Sequence, residues 1–409
     1  MNVENTSSSI SNSETRFGSV AKVFHWLTAF LILSMLVLGI VASKWPFDTS
    51  DSLATKGFLF SIHKTLGLFT FFVASLRISW AIIQPRPAAL PIDSKLQHFA
   101  AETVHWALYG ALVLVPLTGW THHAATTGFA PIFWPFGQTL FFVPQSVGLA
   151  AVLGKLHLAF NIVLFVSLGL HIAGALKHHV IDRDATLKRM LPGRVDLPAG
   201  MVKATFHKGP ALAAFCIWVV AAGIGITFGL AKGATTQLVA LETVQSEWSV
   251  TEGTLAISVD QFGQTVEGTF SDWTAEINFS ETPTEGEYGD VSVVIGISSL
   301  TLGSVTNEAL AADFLNVEGF NTATYSGAIL DDTEGYIVDG TLTLVGQSVP
   351  LVLPFTLDLD GGNATAQGET ALDRRDFGIG QAYPDEGTVG FNVGIAFDLV
   401  ATLGGEQNQ

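Results

Sequence analysis

Apolar residues crowd into the first 234 of the 409 positions, and there they come in runs rather than in alternation. Four runs, at 21–43, 58–83, 100–120 and 149–176, are each long enough to cross about 30 Å of hydrocarbon as a helix. A fifth, at 210–231, contains ALAAFCIWVVAAGIGITFGL. It carries neither charge nor histidine and reads as a plain anchor. The first run is too long for a signal-peptide core and is expected to stay in the chain. Residues 1–15, rich in Ser and Asn, predict disorder.

Past residue 235 the period changes. TLAISVD, TVEGTFSDWTAEINF, DVSVVIGISSL, YIVDGTLTLVG and VPLVLPFTLDL alternate or run apolar over short stretches, broken by Gly, Asp, Asn and Pro. That pattern predicts antiparallel strands, with one short helix near 306–315, closing into a barrel or sandwich. A one-residue slip exchanges the two faces of a strand, so the pattern leaves the lumen-facing set open. The predicted architecture is an all-α four-helix membrane bundle, a fifth transmembrane helix and a soluble all-β barrel.

Charge separates the halves again. Residues 1–234 hold 17 Lys+Arg against 9 Asp+Glu, and residues 235–409 hold 2 against 27. Basic residues gather before the first run (Arg16, Lys22), between the second and third (Arg86, Lys95) and after the fourth (Lys177, Arg183, Lys188, Arg189, Arg194, Lys203, Lys208). The positive-inside rule then places the N-terminus in the cytoplasm of an inner-membrane protein, and five crossings place the acidic domain in the periplasm. That domain has no His and no Cys, and its carboxylates are scattered over turns, which favours a binding module over an enzyme. No nucleic-acid partner is expected.

Candidate chemistry lies in the apolar half. Its single cysteine, Cys216, excludes a disulfide framework, a Cys-based metal site and C-x-x-C-H haem attachment. His157 and His171 are fourteen residues apart in one run. At about 1.5 Å and 100° per residue, their imidazoles lie roughly 21 Å apart and within about 40° of one helix face. That is the spacing of two metal centres stacked across a membrane, and non-covalently held haem iron with two axial histidines suits it.

Helix direction pairs the ligands by depth. His25 falls level with His171, as an inner set, and His63 level with His157, as an outer set. His105 is left over: a spare ligand, a proton-handling group near a quinone, or a hydrogen-bonded core histidine. Lys64, beside His63, either neutralises propionates or draws in a small anion, or else snorkels to the interface. Arg77 pairs with an inner propionate or only sets topology. His178 and His179 are expected to face headgroups. His122 and His123 are expected in the loop after the third helix, with an adjacent pair diverging too much for a metal site.

The segments FHWL (24–27), IHKTLGLFTFFVASLRISW (62–80), VHWALYGALVLVPLTGW (104–120) and LHLAFNIVLFVSLGLHIAGALKHHVIDRDATLKRMLP (156–192) resemble the bacterial cytochrome b561 family. The resemblance spans 16–193. It implies a di-haem b, quinone-reactive bundle with ligands at His25, His63, His157 and His171, and it gives His105 a recurrent family position. In the second half, WSV (248–250), VEGTFSDWTAEINF (266–279), ISSL (297–300), GYIVDGTLTLVGQSVPLVLPF (335–355) and DRRDFGIG (373–380) resemble the YceI-like, polyisoprenoid-binding, lipocalin-like barrels. That resemblance implies an apolar lumen holding an isoprenoid chain such as that of ubiquinone, although the family often has a basic or His-containing segment in place of GQSVPL.

The expected organisation is a tail at 1–15, a bundle at 16–193, a cytoplasmic linker and fifth helix at 194–234, and a barrel at 235–409. The expected function is quinone-linked electron transfer from a periplasmic donor, with the barrel binding isoprenoid quinone. Two alternatives stand beside it: a superoxide:ubiquinone oxidoreductase, and an isoprenoid-binding or redox-sensing protein without steady-state turnover.

Overall fold

The structure, a computed structural model, describes residues 10–90, 94–126, 129–193, 195, 208–233, 241, 246–333 and 335–404. Arg194 and Lys203 of the basic block, and nearly all of the connection 234–245, lie outside these. The chain divides into two compact units: Met1–Lys44, Leu59–Ala125 and Ile132–Gly233 form one, and Trp45–Phe58, Thr126–Pro131 and Ala234–Gln409 the other.

Among the described residues, five helices are long and apolar enough to cross a membrane: α1 (Ser19–Lys44), α2 (Ser50–Ile83), α3 (Lys95–Ala124), α4 (Val147–Val180) and α5 (Lys208–Gly233). Each continues past its apolar run until a local signal stops it. Ser94 and Ser146 cap α3 and α4, accepting from Gln97 N and Leu149 N, which occupies amide hydrogens that the first turn leaves without partners. α2 ends just ahead of Pro85, a residue that cannot continue a helix.

α3, α4 and α5 pack backbone to backbone, whereas α1 and α2 approach no other helix as closely. The α4–α5 approach depends on Gly225 and Gly229, spaced as in G-x-x-x-G: a Cβ at Gly229 would sit 2.6 Å from Val152 Cα. Trp218 lies in the notch at Gly110 on α3 and packs edge-on against Phe160, with ring centroids 5.2 Å apart. The fifth helix is therefore docked as well as anchored.

Residues 10–15, for which composition predicts disorder, are ordered. Asn12 N donates to Gln84 Oε1 (3.0 Å), Ala88 N donates to Glu14 O (2.6 Å), and Arg189 Nη2 reaches Thr15 O (3.0 Å) and Ala88 O (2.9 Å). Local composition missed these bonds because every partner lies more than seventy residues away.

The described residues of the second unit hold ten strands: β1 (Trp248–Gln261), β2 (Gln264–Phe270), β3 (Trp273–Thr284), β4 (Glu287–Gly296), β5 (Leu300–Thr301), β6 (Thr322–Asp332), β7 (Gly335–Leu344), β8 (Gln347–Asp360), β9 (Asn363–Asp373) and β10 (Val389–Leu403), with a short α6 (Thr306–Leu310) before β6. All pairings are antiparallel. Eight strands close in the order β1-β3-β4-β6-β7-β8-β9-β10, with β10 returning to β1, while β2 pairs along the C-terminal part of β1 and β5 pairs with the end of β2.

Register comes from two-residue hairpins. Phe262-Gly263, Glu285-Gly286 and Val345-Gly346 all have positive φ at both positions, the twist that joins adjacent strands without splaying them. With register fixed, the faces are fixed. In β8, Leu351, Leu353, Phe355, Leu357 and Leu359 point into the lumen and their neighbours point out.

Candidate functional site

The bundle gathers the predicted histidines into two groups. In the inner group, His25 (α1) and His171 (α4) have ring centroids 6.1 Å apart, His105 (α3) lies 5.1 Å from His171, and Arg77 Nη2 (α2) lies 3.4 Å from His25 Nδ1. Metal–nitrogen bonds of about 2 Å on either side of one ion put two imidazole centroids roughly 6 Å apart. The His25–His171 spacing fits that value. His105 is too close to His171 for the same arrangement and instead packs against its ring at 68°.

In the outer group, each histidine sits in a cradle on a neighbouring helix. His157 Nδ1 donates to Val115 O (2.9 Å), and a Cβ at Gly119, one turn further along α3, would lie 3.0 Å from His157 Cε1. His122 Nδ1 donates to Ala150 O (2.8 Å), with Gly154 of α4 opposite its Cε1 at 3.2 Å. His63 Nδ1 is directed at Met35 O without closing a full hydrogen bond, and Gly39 of α1 faces its Cε1 at 3.0 Å. The device recurs three times: a carbonyl, then a glycine four residues on, together holding one imidazole edge-on. An Nδ1–H held by a backbone carbonyl fixes the tautomer that offers Nε2 to a metal.

Haem is the group these residues suit. α1 and α2 approach other helices less closely than α3, α4 and α5 approach one another, and His25 meets His171 of α4 across that spacing. A flat cofactor fits such a separation better than a bare ion does.

Lys64 is half-buried rather than free at the interface. Its Nζ lies 3.3 Å from His123 Nδ1, and His123 Nε2 donates to Gln138 Oε1 (2.9 Å), which also accepts from Ile132 N (2.7 Å). Those bonds set His123 as the Nε2–H tautomer, with Nδ1 accepting from the ammonium. α3 runs to Ala124, so His122 and His123 are helical rather than in a loop, and they diverge to different helices as an adjacent pair must. Sequence reasoning undervalued both; for His122 the glycine at 154 was the available signal, legible only once its partner helix is known.

His178 does not face headgroups alone. Its Nδ1 contacts Asp184 Oδ2 (2.6 Å) and Asp182 Oδ2 (3.0 Å), and Lys177 also pairs with Asp182 (2.7 Å). Burial acts to raise the Asp184 pKa, but hydrogen bonds from Thr186 and His178 outweigh it and hold the carboxyl below its usual range. The cluster ties the turn after α4 to that helix's end.

In the barrel, twenty-five residues line one apolar cavity, among them Trp248, Trp273, Tyr325, Phe355 and Phe397.

Comparison with known proteins follows this division. The prokaryotic cytochrome b561 family matches residues 16–193 and the YceI-like domain matches 243–401. Cytochrome b561 homolog 2 of Escherichia coli (strain K12) is 32% identical over 189 residues, 45% of this chain and 95% of that protein. The probable superoxide oxidase CybB of Yersinia pestis is 27% identical over 162 residues, 38% of this chain and 90% of that protein. Among solved structures, Burkholderia cenocepacia BcnA is 26% identical, with a TM-score of 0.34, covering 37% of this chain and 96% of its own. The Campylobacter jejuni YCEI protein is 19% identical, with a TM-score of 0.30, covering 42% and 94%. The chain belongs to the cytochrome b561 family, and a YceI-like domain is fused C-terminal to its bundle.

Proposed function

We propose that the protein is a di-haem b oxidoreductase of the inner membrane that passes electrons between a periplasmic donor and the quinone pool, with a periplasmic barrel that binds isoprenoid quinone. The observation that carries this reading is the His25–His171 approach, with His157 fourteen residues earlier on α4; it supports His25 with His171 as the inner set and, by depth, His63 with His157 as the outer. Bound there, haem supplies a one-electron carrier on each side of the membrane. Val115 O holds the His157 tautomer, Met35 O and Gly39 orient His63, and Arg77 sets the Nδ1 side of His25. In this reading His105, packed against His171, exchanges a proton with a quinone reduced at the inner set, since quinone reduction takes up two protons for two electrons. The basic loops favour a cytoplasmic N-terminus and a periplasmic barrel.

A second reading, superoxide oxidation, draws on the Lys64–His123–Gln138 cluster and on the name given to the Yersinia pestis relative. Two superoxide anions would each give one electron, leaving two dioxygen molecules, while one quinone takes both electrons and two protons. A half-buried cation beside His63 would draw an anion toward that end.

Haem content tests the main reading. The purified protein is expected to hold two haems per chain by pyridine haemochrome assay, His63→Ala or His171→Ala one, and His105→Ala two. Two haems in His171→Ala, or one in His105→Ala, would overturn the pairing. Reduction by superoxide that is fast in the wild type and at least tenfold slower in Lys64→Gln would favour the second reading over a quinol-linked donor.

A further inference from the structure

The two ends of the bundle treat the Nδ1 side of their paired histidines in opposite ways. At the outer end Nδ1 meets a carbonyl: His157 Nδ1 donates to Val115 O (2.9 Å), and His63 Nδ1 is directed at Met35 O. At the inner end it meets a cation. Arg77 Nη2 lies 3.4 Å from His25 Nδ1. Among the described residues, no backbone carbonyl bonds a ring nitrogen of His25 or His171, and no carboxylate pairs with Arg77.

These contacts push the reduction potential of an iron bound at Nε2 in opposite directions. A carbonyl that accepts from Nδ1–H raises the basicity of the ring and makes Nε2 a stronger donor, which favours ferric iron. A guanidinium does the reverse. It draws electron density from the ring and adds positive charge beside a site where ferric iron carries one charge more than ferrous, and screening inside the bundle is weak. The outer end has a cation too, Lys64, but its ammonium stands against His123, outside the ligand pair.

Thr118 makes the outer contact adjustable. Its hydroxyl donates to Leu114 O (2.7 Å) and to Val115 O (2.9 Å), and its oxygen lies 3.4 Å from His157 Nδ1. Thr118 therefore competes with His157 for one carbonyl and keeps the imidazole bond below full strength. The side chain is buried, so removing the hydroxyl leaves that carbonyl to His157.

We propose that the bundle holds the His25–His171 site at a higher reduction potential than the His63–His157 site, with Arg77 raising the one and Val115 O lowering the other to an extent that Thr118 limits. Electron transfer between the sites is then biased from the outer end to the inner. Arg77 and Thr118 act through a ligand and are positioning residues. The inference rests on the reading of both sets as haem ligands and adds a direction to it. An inside-negative membrane opposes an electron moving inward, so a rise in potential along that path offsets the opposing field.

Potentiometric titration of the purified full-length protein, followed in the haem α band, tests the order. The wild type is expected to titrate in two waves. His63→Ala removes the outer site and should leave the higher wave; His171→Ala removes the inner site and should leave the lower. Arg77→Gln should move the higher wave down without moving the lower, while Arg77→Lys, which keeps the charge, holds it close to wild type. Thr118→Val should move the lower wave further down, and Thr118→Ser, which keeps the hydroxyl, should restore it. The Arg77→Gln shift should be the larger, because a full charge is removed. The reverse order of waves, a single wave with two haems bound, or waves that ignore both Arg77→Gln and Thr118→Val would overturn the proposal. The order and the Thr118→Val shift decide it even where Arg77→Gln fails to hold the inner haem. Two haems retained in either histidine variant would instead defeat the ligand pairing itself.

Discussion

Arg374 is 3% exposed, and every hydrogen bond of its guanidinium goes to backbone carbonyls. Nε donates to Gly390 O (3.0 Å), Nη1 to Ile379 O (2.8 Å) and Gly380 O (2.9 Å), and Nη2 to Tyr383 O (2.6 Å) and Val389 O (3.2 Å). All five N–H groups of the side chain are used; three acceptors lie in the segment leading into β10 and two, Val389 O and Gly390 O, at its start. Arg374→Met keeps length and apolar volume but leaves those carbonyls without their donor. Hydrogen bonds to a charged group contribute about 1.5–3 kcal/mol each, but the five are not additive, and releasing the buried charge offsets part of the loss. Leaving a buried carbonyl without its donor costs about 1–3 kcal/mol, and losing this set together is expected to cost about 3–5 kcal/mol, a large fraction of a domain stability of about 5–15 kcal/mol. At roughly 2–4 °C per kcal/mol for a domain of this size, the barrel transition should fall by about 6–20 °C. Arg374→Lys, with three donors on a single nitrogen, should recover only part of that. Trypsin cleavage of the full chain against temperature reads the barrel, and the Soret band serves as the internal control for the bundle. A barrel transition in Arg374→Met within 1 °C of wild type would refute the clasp.

Three further expectations follow from the geometry. Gly119→Leu drives a branched side chain into the space of the His157 ring, so the outer haem should be lost while the inner is kept; a haemochrome value of two haems per chain would contradict the cradle. Arg375 binds the Asp373 carboxylate through Nε at 2.9 and 3.0 Å and holds its pKa at about 2, below the usual 3.8. A depressed pKa gives stability that is present above about pH 4 and lost as pH falls through 2, so Asp373→Asn should melt below wild type at pH 5 and converge with it near pH 2; a constant gap across that range would argue against the linkage. A periplasm-active reporter fused after residue 409 should be active and one fused near Arg194 inactive, and the reverse pattern would mean that α5 does not cross the membrane.

Much of this was legible in the sequence because it is local. Helix length against bilayer thickness, the two-fold alternation after residue 235 and the fourteen-residue spacing of His157 and His171 all follow from backbone repeat distances, and no partner is needed to read them. Two-residue turns at Phe262-Gly263 and Val345-Gly346 belong to the same class, since Gly marks a φ that other residues adopt only at a cost.

What remained open depended on which distant residue stands opposite. Gly39, Gly119 and Gly154 read as ordinary small residues until a neighbouring helix brings an imidazole against each. His123 reads as a loop histidine until Lys64 and Gln138 meet it, from 59 residues before and 15 after. Lumen-facing positions were undetermined because alternation defines two faces without saying which is inside; closure of β10 onto β1 decides it, placing Leu351 and Phe397 within and their neighbours outside. Periodicity along a chain fixes what each element is. Opposition between elements, which only the folded chain supplies, fixes what each side chain does.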